Sequence, residues 1–423
     1  MDLVARKSKL GGRVLIPASK SHTIRAVLIA TLADGTSTIR NPLDSLDTDA
    51  VLATARAFGA GIEQHDDLWN ITGVGANVHT PNDVVDVMNS GTTLYLAMSV
   101  AALGSGCTVF TGDESIRSRP AQILIDALSD LGADAFSTRG NGLCPIVVRG
   151  PMKGGKTTVR AVTSQYVSSL LLSCPLARGD CELTVTELNE RPYVRMTLDW
   201  LDAQNIRYSA SDDFTHFVIP GGQRYHSYER ALPGDFSSAT FFLVAAAITG
   251  STLTLDGLDM NDSQGDKAVI DMLRTMGAEV ITDDESLVVR AQGLTGAELD
   301  LNATPDALPA LAVAGCLAEG ETRLVNVPQA RVKETDRIAV MAAELAKMGA
   351  EVQELPDGLV VRRSKLIGTS VRGHDDHRVV MALALAGLCA DGETRVDSAE
   401  SAAVTFPNFV ELMCAVGGQM QKE

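Results

Sequence analysis

The residues of this chain best suited to chemistry are polar, and they cluster where the surrounding pattern predicts the starts of helices. They read Ser19-Lys20-Ser21-His22, Asn89-Ser90-Gly91-Thr92, Thr163-Ser164-Gln165, Gly234-Asp235-Phe236-Ser237-Ser238, Pro305-Asp306 and Asp375-Asp376-His377-Arg378. Each group alone is explained by capping, because these side chains accept from the N–H groups that a first helical turn leaves free. As a set they suggest more. A helix start carries unpaired donors and roughly half a positive charge, so several converging starts make an anion trap.

Basic residues recur ahead of the second helices, in Ile116-Arg117-Ser118-Arg119-Pro120, Glu190-Arg191-Pro192 and Arg331-Val332-Lys333-Glu334-Thr335-Asp336-Arg337. A cation there opposes the helix dipole unless it serves an anionic ligand. Lys333 and Arg337, four apart, predict one helix face with Glu334 beside it, and a solvated ion-pair ladder fits the same spacing. Asp376-His377-Arg378 leads into an apolar run, which distinguishes His377 from His65, His79, His216 and His226 in loop or strand contexts. No two histidines have metal-pair spacing, so no metal is expected. There is no GxGxxG or Walker A segment, and neither GDESIRS nor GDFSSA is a nucleophile elbow, so no cofactor is expected.

The elements that must position these residues repeat. A helical run ending in Gly-Ala before a short strand recurs as ARAFGAGIEQ, LSDLGADAFS, LRTMGAEVIT and LAKMGAEVQE, with turn residues Gly59, Gly132, Gly277 and Gly349. LDAQNIRYSA puts Asn205 in the same place, and Gly417 makes a sixth, at spacings of 73, 73, 72, 72 and 68 residues. Gly or Asn is what a left-handed helix end requires. A strand, acidic turn and strand follow most clearly in AEVITDDESLVVRA and AEVQELPDGLVVRR, and β-type runs such as TLTLDG and TRLVNV precede the next helix. One such unit cannot bury its apolar face alone, so several must pack together. Six units predict an α/β (α+β) fold with two domains of three repeats. The chain also opens with a strand pattern, ARKSKLGGRVLIPA, expected to complete the sheet of the truncated last unit. The expected domains are therefore 1–18 plus 234–423, discontinuous, and 19–233 inserted. Duplicated packing without functional meaning is the other explanation of the period.

Composition narrows the class. Two domains are normal for 423 residues. With 36 Lys and Arg against 53 Asp and Glu, the formal charge of −17 argues against nucleic-acid or anionic-lipid partners. A 45% hydrophobic, 21% charged chain is globular, and with only 4% aromatics its core must be mostly Ala, Leu and Val. The densest apolar stretch, 241–248, is too short to span a membrane, and the first dozen residues lack a secretory run. Seven cysteines without a CxxC pair favour free thiols in a reducing cytoplasm. A cytosolic enzyme is expected.

With these segments in view, the chain resembles the 5-enolpyruvylshikimate-3-phosphate synthases, the enolpyruvyl transferases of the shikimate pathway. The resemblance rests on PASKSHTIRA, MNSGTT, FTGDESIRSRP, TSQYVSSLLL, RPYVRMTL, PGDFSSATFFL, TPDALPALA, RVKETDR, HDDHRVVMALAL and VTFPNF, from residue 17 to 409. It implies two domains, each of three βαβαββ units, with the active site in the cleft between them. It also implies transfer of the enolpyruvyl group of phosphoenolpyruvate to the 5-hydroxyl of shikimate 3-phosphate, by a monomer without a cofactor. The implied catalytic set is Lys20, Asp306, Glu334 and His377. Asp306 would be the base at the hydroxyl, and Glu334 and Lys20 would move protons at the enolpyruvyl carbons. Phosphoenolpyruvate would be held by Lys20, Gly91, Arg119, Gln165, Arg337 and Arg378. Shikimate 3-phosphate would be held by Lys20, Ser21, Arg25, Thr163, Ser164, Gln165, Tyr193, Asp306, Gln329 and Lys333, with Thr163, Ser164 and Lys333 at the 3-phosphate.

Four positions depart from the family pattern: Tyr95 where an Arg is usual, Glu190 where certain members have a phosphate-binding Ser, Gln329 for an Asn, and Val404 where some have Lys. Tyr95 and Glu190 keep open a diverged transferase acting on another cyclic alcohol. A non-catalytic anion binder on this fold fits less well, because it has no use for Asp306 and Glu334. The related transferase of UDP-N-acetylglucosamine is disfavoured by the absence of Cys from GDESIRSRP. The RNA-phosphate cyclases are disfavoured by the acidic charge.

Overall fold

In the computed structural model, which describes residues 1–283 and 286–423, all six spaced turn residues end helices. Their φ angles are +99° at Gly59, +87° at Gly132, +55° at Asn205, +94° at Gly277, +85° at Gly349 and +100° at Gly417. In each, the next residue donates its N–H to the carbonyl five positions back, as Ala60 to Ala55 and Ala278 to Leu273. That is the Schellman closure, and it turns the chain out of the helix into the following strand.

The chain divides into two units, Met1–Pro17 with Pro233–Glu423, and Ala18–Leu232. Each contains three four-stranded sheets of one pattern. In the first, Glu298–Asp300 runs parallel to Glu321–Val325, which pairs antiparallel with Gly358–Arg362, which pairs antiparallel with Glu351–Leu355. The strand Leu3–Arg6 lies between Glu393–Val396 and Gln419–Lys422, antiparallel to both, so the N-terminus does complete the last sheet. Only half of the opening strand pattern does this, because Gly11–Leu15 instead runs parallel to Thr252–Asp256 in another sheet. In the other unit, the late strand Glu229–Ala231 closes the sheet of Thr36–Arg40. The strands Glu279–Thr282 and Ser286–Arg290 pair as expected, and the acidic turn residues Asp284 and Glu285 lie outside the described residues.

Two helix types follow from two patterns. The first helix of each repeat is buried on nearly every side and sits in the core of its unit: Lys20–Thr31, Gly91–Ala101 and Ser164–Ser173 in one, Phe236–Thr249, Leu308–Leu317 and His377–Gly387 in the other. Ala310, Ala312, Ala314, Ala382, Ala384 and Ala386 are completely buried, and such small side chains let these central helices pack closely. The second helices, such as Arg191–Ala203 and Arg337–Lys347, are amphipathic and keep one polar face outward.

Three local expectations are corrected. Lys333 and Glu334 are not helical, since the helix starts at Arg337, where the Asp336 side chain accepts from Ala339 N–H. Capping by Asp336 thus removes the shared face predicted for Lys333 and Arg337. Arg119 is extended, following a short 3-10 turn, Ile116–Ser118, and the helix begins only at Gln122. Pro305-Asp306 lies in a 3-10 turn, Pro305–Ala307, ahead of the helix Leu308–Leu317.

Candidate active site

In the discontinuous unit, the starts of three central helices are tied together by side chains. Arg337, with a side chain only 1% exposed, reaches Asp306 through Nη1 at 2.7 Å, Glu334 through Nη2 at 2.5 Å and Asp376 through Nε at 2.8 Å. Arg378 reaches the other oxygen of Asp306 at 2.9 Å and donates to Ser237 Oγ at 2.6 Å. Asp376 also caps its own helix by accepting from Arg378 N–H at 2.9 Å. The starts of Phe236–Thr249, Leu308–Leu317 and His377–Gly387 therefore share one polar cluster, although they lie far apart in sequence.

The electrostatics follow from burial. Burial alone pushes the Asp306 carboxyl up, but Arg378, Lys333 and Arg337 together hold it well below the ordinary carboxylate range. Burial likewise favours neutral Arg337, yet Asp376, Glu334 and Asp306 overcome this and raise its pKa. Arg378 is also raised, by Asp306 above all, against burial and the repulsion of Arg337. His377 opens its helix and is buried. Gln329 donates to the carbonyl of Asn302 at 3.0 Å, and its buried Oε1 has no partner among the described residues.

The inserted unit holds the remaining candidates. Lys20, first residue of its helix, pairs with Asp47 at 3.2 Å, with both side chains largely buried. Asp47 was not singled out by sequence; it is one of several acidic residues at the start of a second helix, and nothing local marks it. Arg25 is fully buried and donates to Thr197 Oγ1, the Ser21 carbonyl, Ser168 Oγ and the Tyr193 carbonyl at 2.9 to 3.3 Å. It has no carboxylate partner among the described residues, and burial lowers its pKa to about 10. Ser21 and Tyr193 thus act on Arg25 through their backbone carbonyls.

Gly91 opens its helix beside Arg119, and a Cβ there would collide with Arg119 Nη1. Arg119 is buried and donates to Ser115 Oγ at 3.2 Å. Gln165 donates to Thr92 Oγ1 at 3.4 Å, joining two helix starts. Tyr95, in the place of the usual Arg, sends its hydroxyl to the Pro120 carbonyl at 2.9 Å, and Tyr166 reaches the same oxygen at 2.6 Å. The phenol is therefore an anchor for the segment carrying Arg119. The Glu190 carboxylate accepts from Thr163 Oγ1 at 3.0 Å, Ser164 N–H at 3.1 Å and Ser164 Oγ at 2.9 Å. Val404 is buried at the end of the 3-10 turn Ala399–Val404.

All seven cysteines are free thiols, and among the described residues no group of His, Cys, Asp and Glu could hold a metal. Among the same residues no helix is long and apolar enough to cross a membrane. Chemically, the two clusters offer buried guanidinium and ammonium groups beside carboxylates, suited to anionic substrates and proton transfer.

A family profile described as EPSP synthase (3-phosphoshikimate 1-carboxyvinyltransferase) matches residues 4–413. Relatives named 3-phosphoshikimate 1-carboxyvinyltransferase include one from Acetivibrio thermocellus, 54% identical over 99% of both chains. Another, from Ruminiclostridium cellulolyticum, is 53% identical over the full length of both. A solved EPSP synthase from Acinetobacter baumannii superposes with a TM-score of 0.82 at 28% identity, covering all of both chains. From residue 4 to residue 413, then, the sequence carries the pattern of one family, and the chain belongs to the EPSP synthases.

Proposed function

We infer that this chain transfers the enolpyruvyl group of phosphoenolpyruvate to the 5-hydroxyl of shikimate 3-phosphate and releases inorganic phosphate. Full-length identity of 54% to a 3-phosphoshikimate 1-carboxyvinyltransferase supports this reaction over the diverged and non-catalytic alternatives. The observation that carries the assignment of roles is Asp306, shared between Arg337 and Arg378, with Glu334 on the same Arg337 guanidinium.

In this reading the reaction is addition followed by elimination at C2 of the enolpyruvyl group. Arg119, Arg337 and Arg378 hold phosphoenolpyruvate, since a planar guanidinium matches carboxylate and phosphate geometry. As Arg378 and Arg337 turn part of their charge to the substrate phosphate, their hold on Asp306 weakens. A carboxylate with less positive charge around it binds a proton more readily, so substrate binding makes Asp306 the base for the 5-hydroxyl. Glu334 and Lys20 then move protons at the enolpyruvyl carbons, with Lys20 oriented by Asp47 and His377 beside the departing phosphate. Ser21 and Arg25 meet the acceptor carboxylate, Gln165, Tyr193 and Gln329 its ring, and Thr163, Ser164 and Lys333 its 3-phosphate. No cofactor enters the scheme, and the enzyme works as a cytoplasmic monomer, which light scattering and cell fractionation test.

The test is phosphate release with phosphoenolpyruvate and shikimate 3-phosphate. Turnover is expected for the wild type. Asp306→Asn should retain shikimate 3-phosphate affinity within a few-fold and lose turnover, and an unchanged rate in that variant removes Asp306 from the base role.

A further inference from the structure

The Glu190 side chain occupies the polar cradle that the reading above gives to the acceptor's 3-phosphate, and the inference here rests on that reading. Its residue is 2% exposed, and a single oxygen, Oε2, takes both hydroxyls of Thr163 and Ser164 together with the Ser164 backbone N–H. These are the first-turn donors of the helix Ser164–Ser173, the part of a helix best suited to an anion. Arg191, the adjacent cation, turns outward, donating to the Asp212 carbonyl and lying 4.7 Å over the Phe214 ring. The Glu190 backbone is left-handed, with φ 56° and ψ 39°, a conformation that favours Asn or Gly over a long side chain.

We propose that the Glu190 carboxylate is an internal stand-in for the acceptor's phosphate, competing for the Thr163–Ser164 donors and yielding them when the acceptor binds. A carboxylate and a phosphate dianion cannot share three donors at hydrogen-bond distance, because like charges in one cradle repel. Acceptor binding must therefore move Glu190 out, which weakens acceptor affinity. Glu190 is thus a specificity-determining residue at the acceptor site. A purely structural role, as a carboxylate at a helix start, predicts the reverse: removing it would loosen the helix start and leave acceptor binding no better.

Two variants separate these. Glu190→Asn is neutral and suits the left-handed backbone, and Glu190→Gln keeps the side-chain length. For each, KM for shikimate 3-phosphate is measured by phosphate release, its Kd by calorimetry without phosphoenolpyruvate, and folding by thermal unfolding. Stand-in behaviour predicts a fall in both KM and Kd for shikimate 3-phosphate of about fivefold or more in both variants, with KM for phosphoenolpyruvate changing less. Unchanged or weaker shikimate 3-phosphate binding in either folded variant overturns the proposal. Wild-type turnover with shikimate 3-phosphate tests the underlying reaction separately, so failure of the one is distinct from failure of the other.

Discussion

Asp306 accepts from two guanidiniums at once, and this sets both its protonation and its structural weight. Its carboxyl lies below the ordinary value of about 3.9, so the stability it contributes is fully present above that pH and is lost as pH falls further. Asp306→Asn leaves Arg337 and Arg378 short of one carboxylate in a buried setting, a loss of roughly 3 kcal/mol at neutral pH. Thermal unfolding should show that deficit shrinking below about pH 4, where the carboxyl of the unfolded chain takes up a proton while the folded one stays ionised; a constant gap down to about pH 3 would contradict the assignment. Lys20→Ala should cost on the order of 100-fold in turnover, because an ammonium placed where charge develops acts mainly in the transition state. Steady-state kinetics check this, and a near-normal rate would remove Lys20 from the chemistry.

At the scale of elements, the six helix ends give a clean test of backbone conformation. Gly277 has φ +94°, and a Cβ there would meet no atom closer than 4.0 Å, so Gly277→Ala isolates the left-handed penalty from any clash. A loss of about 1 to 2 kcal/mol is expected in denaturant unfolding. The opposite exchange, Asn205→Gly, should be neutral or slightly stabilising for the same reason. The segment carrying Arg119 is held by two phenols on one carbonyl, so Tyr95→Phe should raise KM for phosphoenolpyruvate a few-fold with little change in the melting temperature. Tyr95→Arg should reduce activity, since a longer charged side chain in a buried position displaces that anchor and is costly to desolvate.

For the whole molecule, the first strand is the least local element. Leu3–Arg6 lies between two strands from the other end of the chain, so removing residues 2–6 splits a four-stranded sheet through its middle. The truncated chain is expected to unfold far below the wild-type melting temperature or to be lost to aggregation, as calorimetry and soluble yield would show. Unaltered melting would mean that the sheet does not depend on this strand. The repeats were visible in sequence because a left-handed turn admits few residue types, which leaves Gly or Asn at even spacing. The start of the helix at Arg337 was harder to see. Lys333 and Arg337 have helical spacing, and Asp336 is an effective cap only in the conformation that the surrounding fold gives it.

The amino-acid sequence by itself determined the residue types able to handle anions, the caps that end each helix, and the family pattern that contains them. These depend on neighbours within a few positions, where side-chain chemistry and backbone preference act directly. Tertiary structure alone decided which charges meet: Asp376 under Arg337, Asp47 beside Lys20, the Tyr95 hydroxyl on the Pro120 carbonyl, and the Glu190 carboxylate in the Thr163–Ser164 cradle. Each of these joins residues 25 to 39 positions apart in sequence. A pairing across that distance is selected by how buried helices and sheets pack, and the favourable partner of a buried charge is whichever group packing brings within reach.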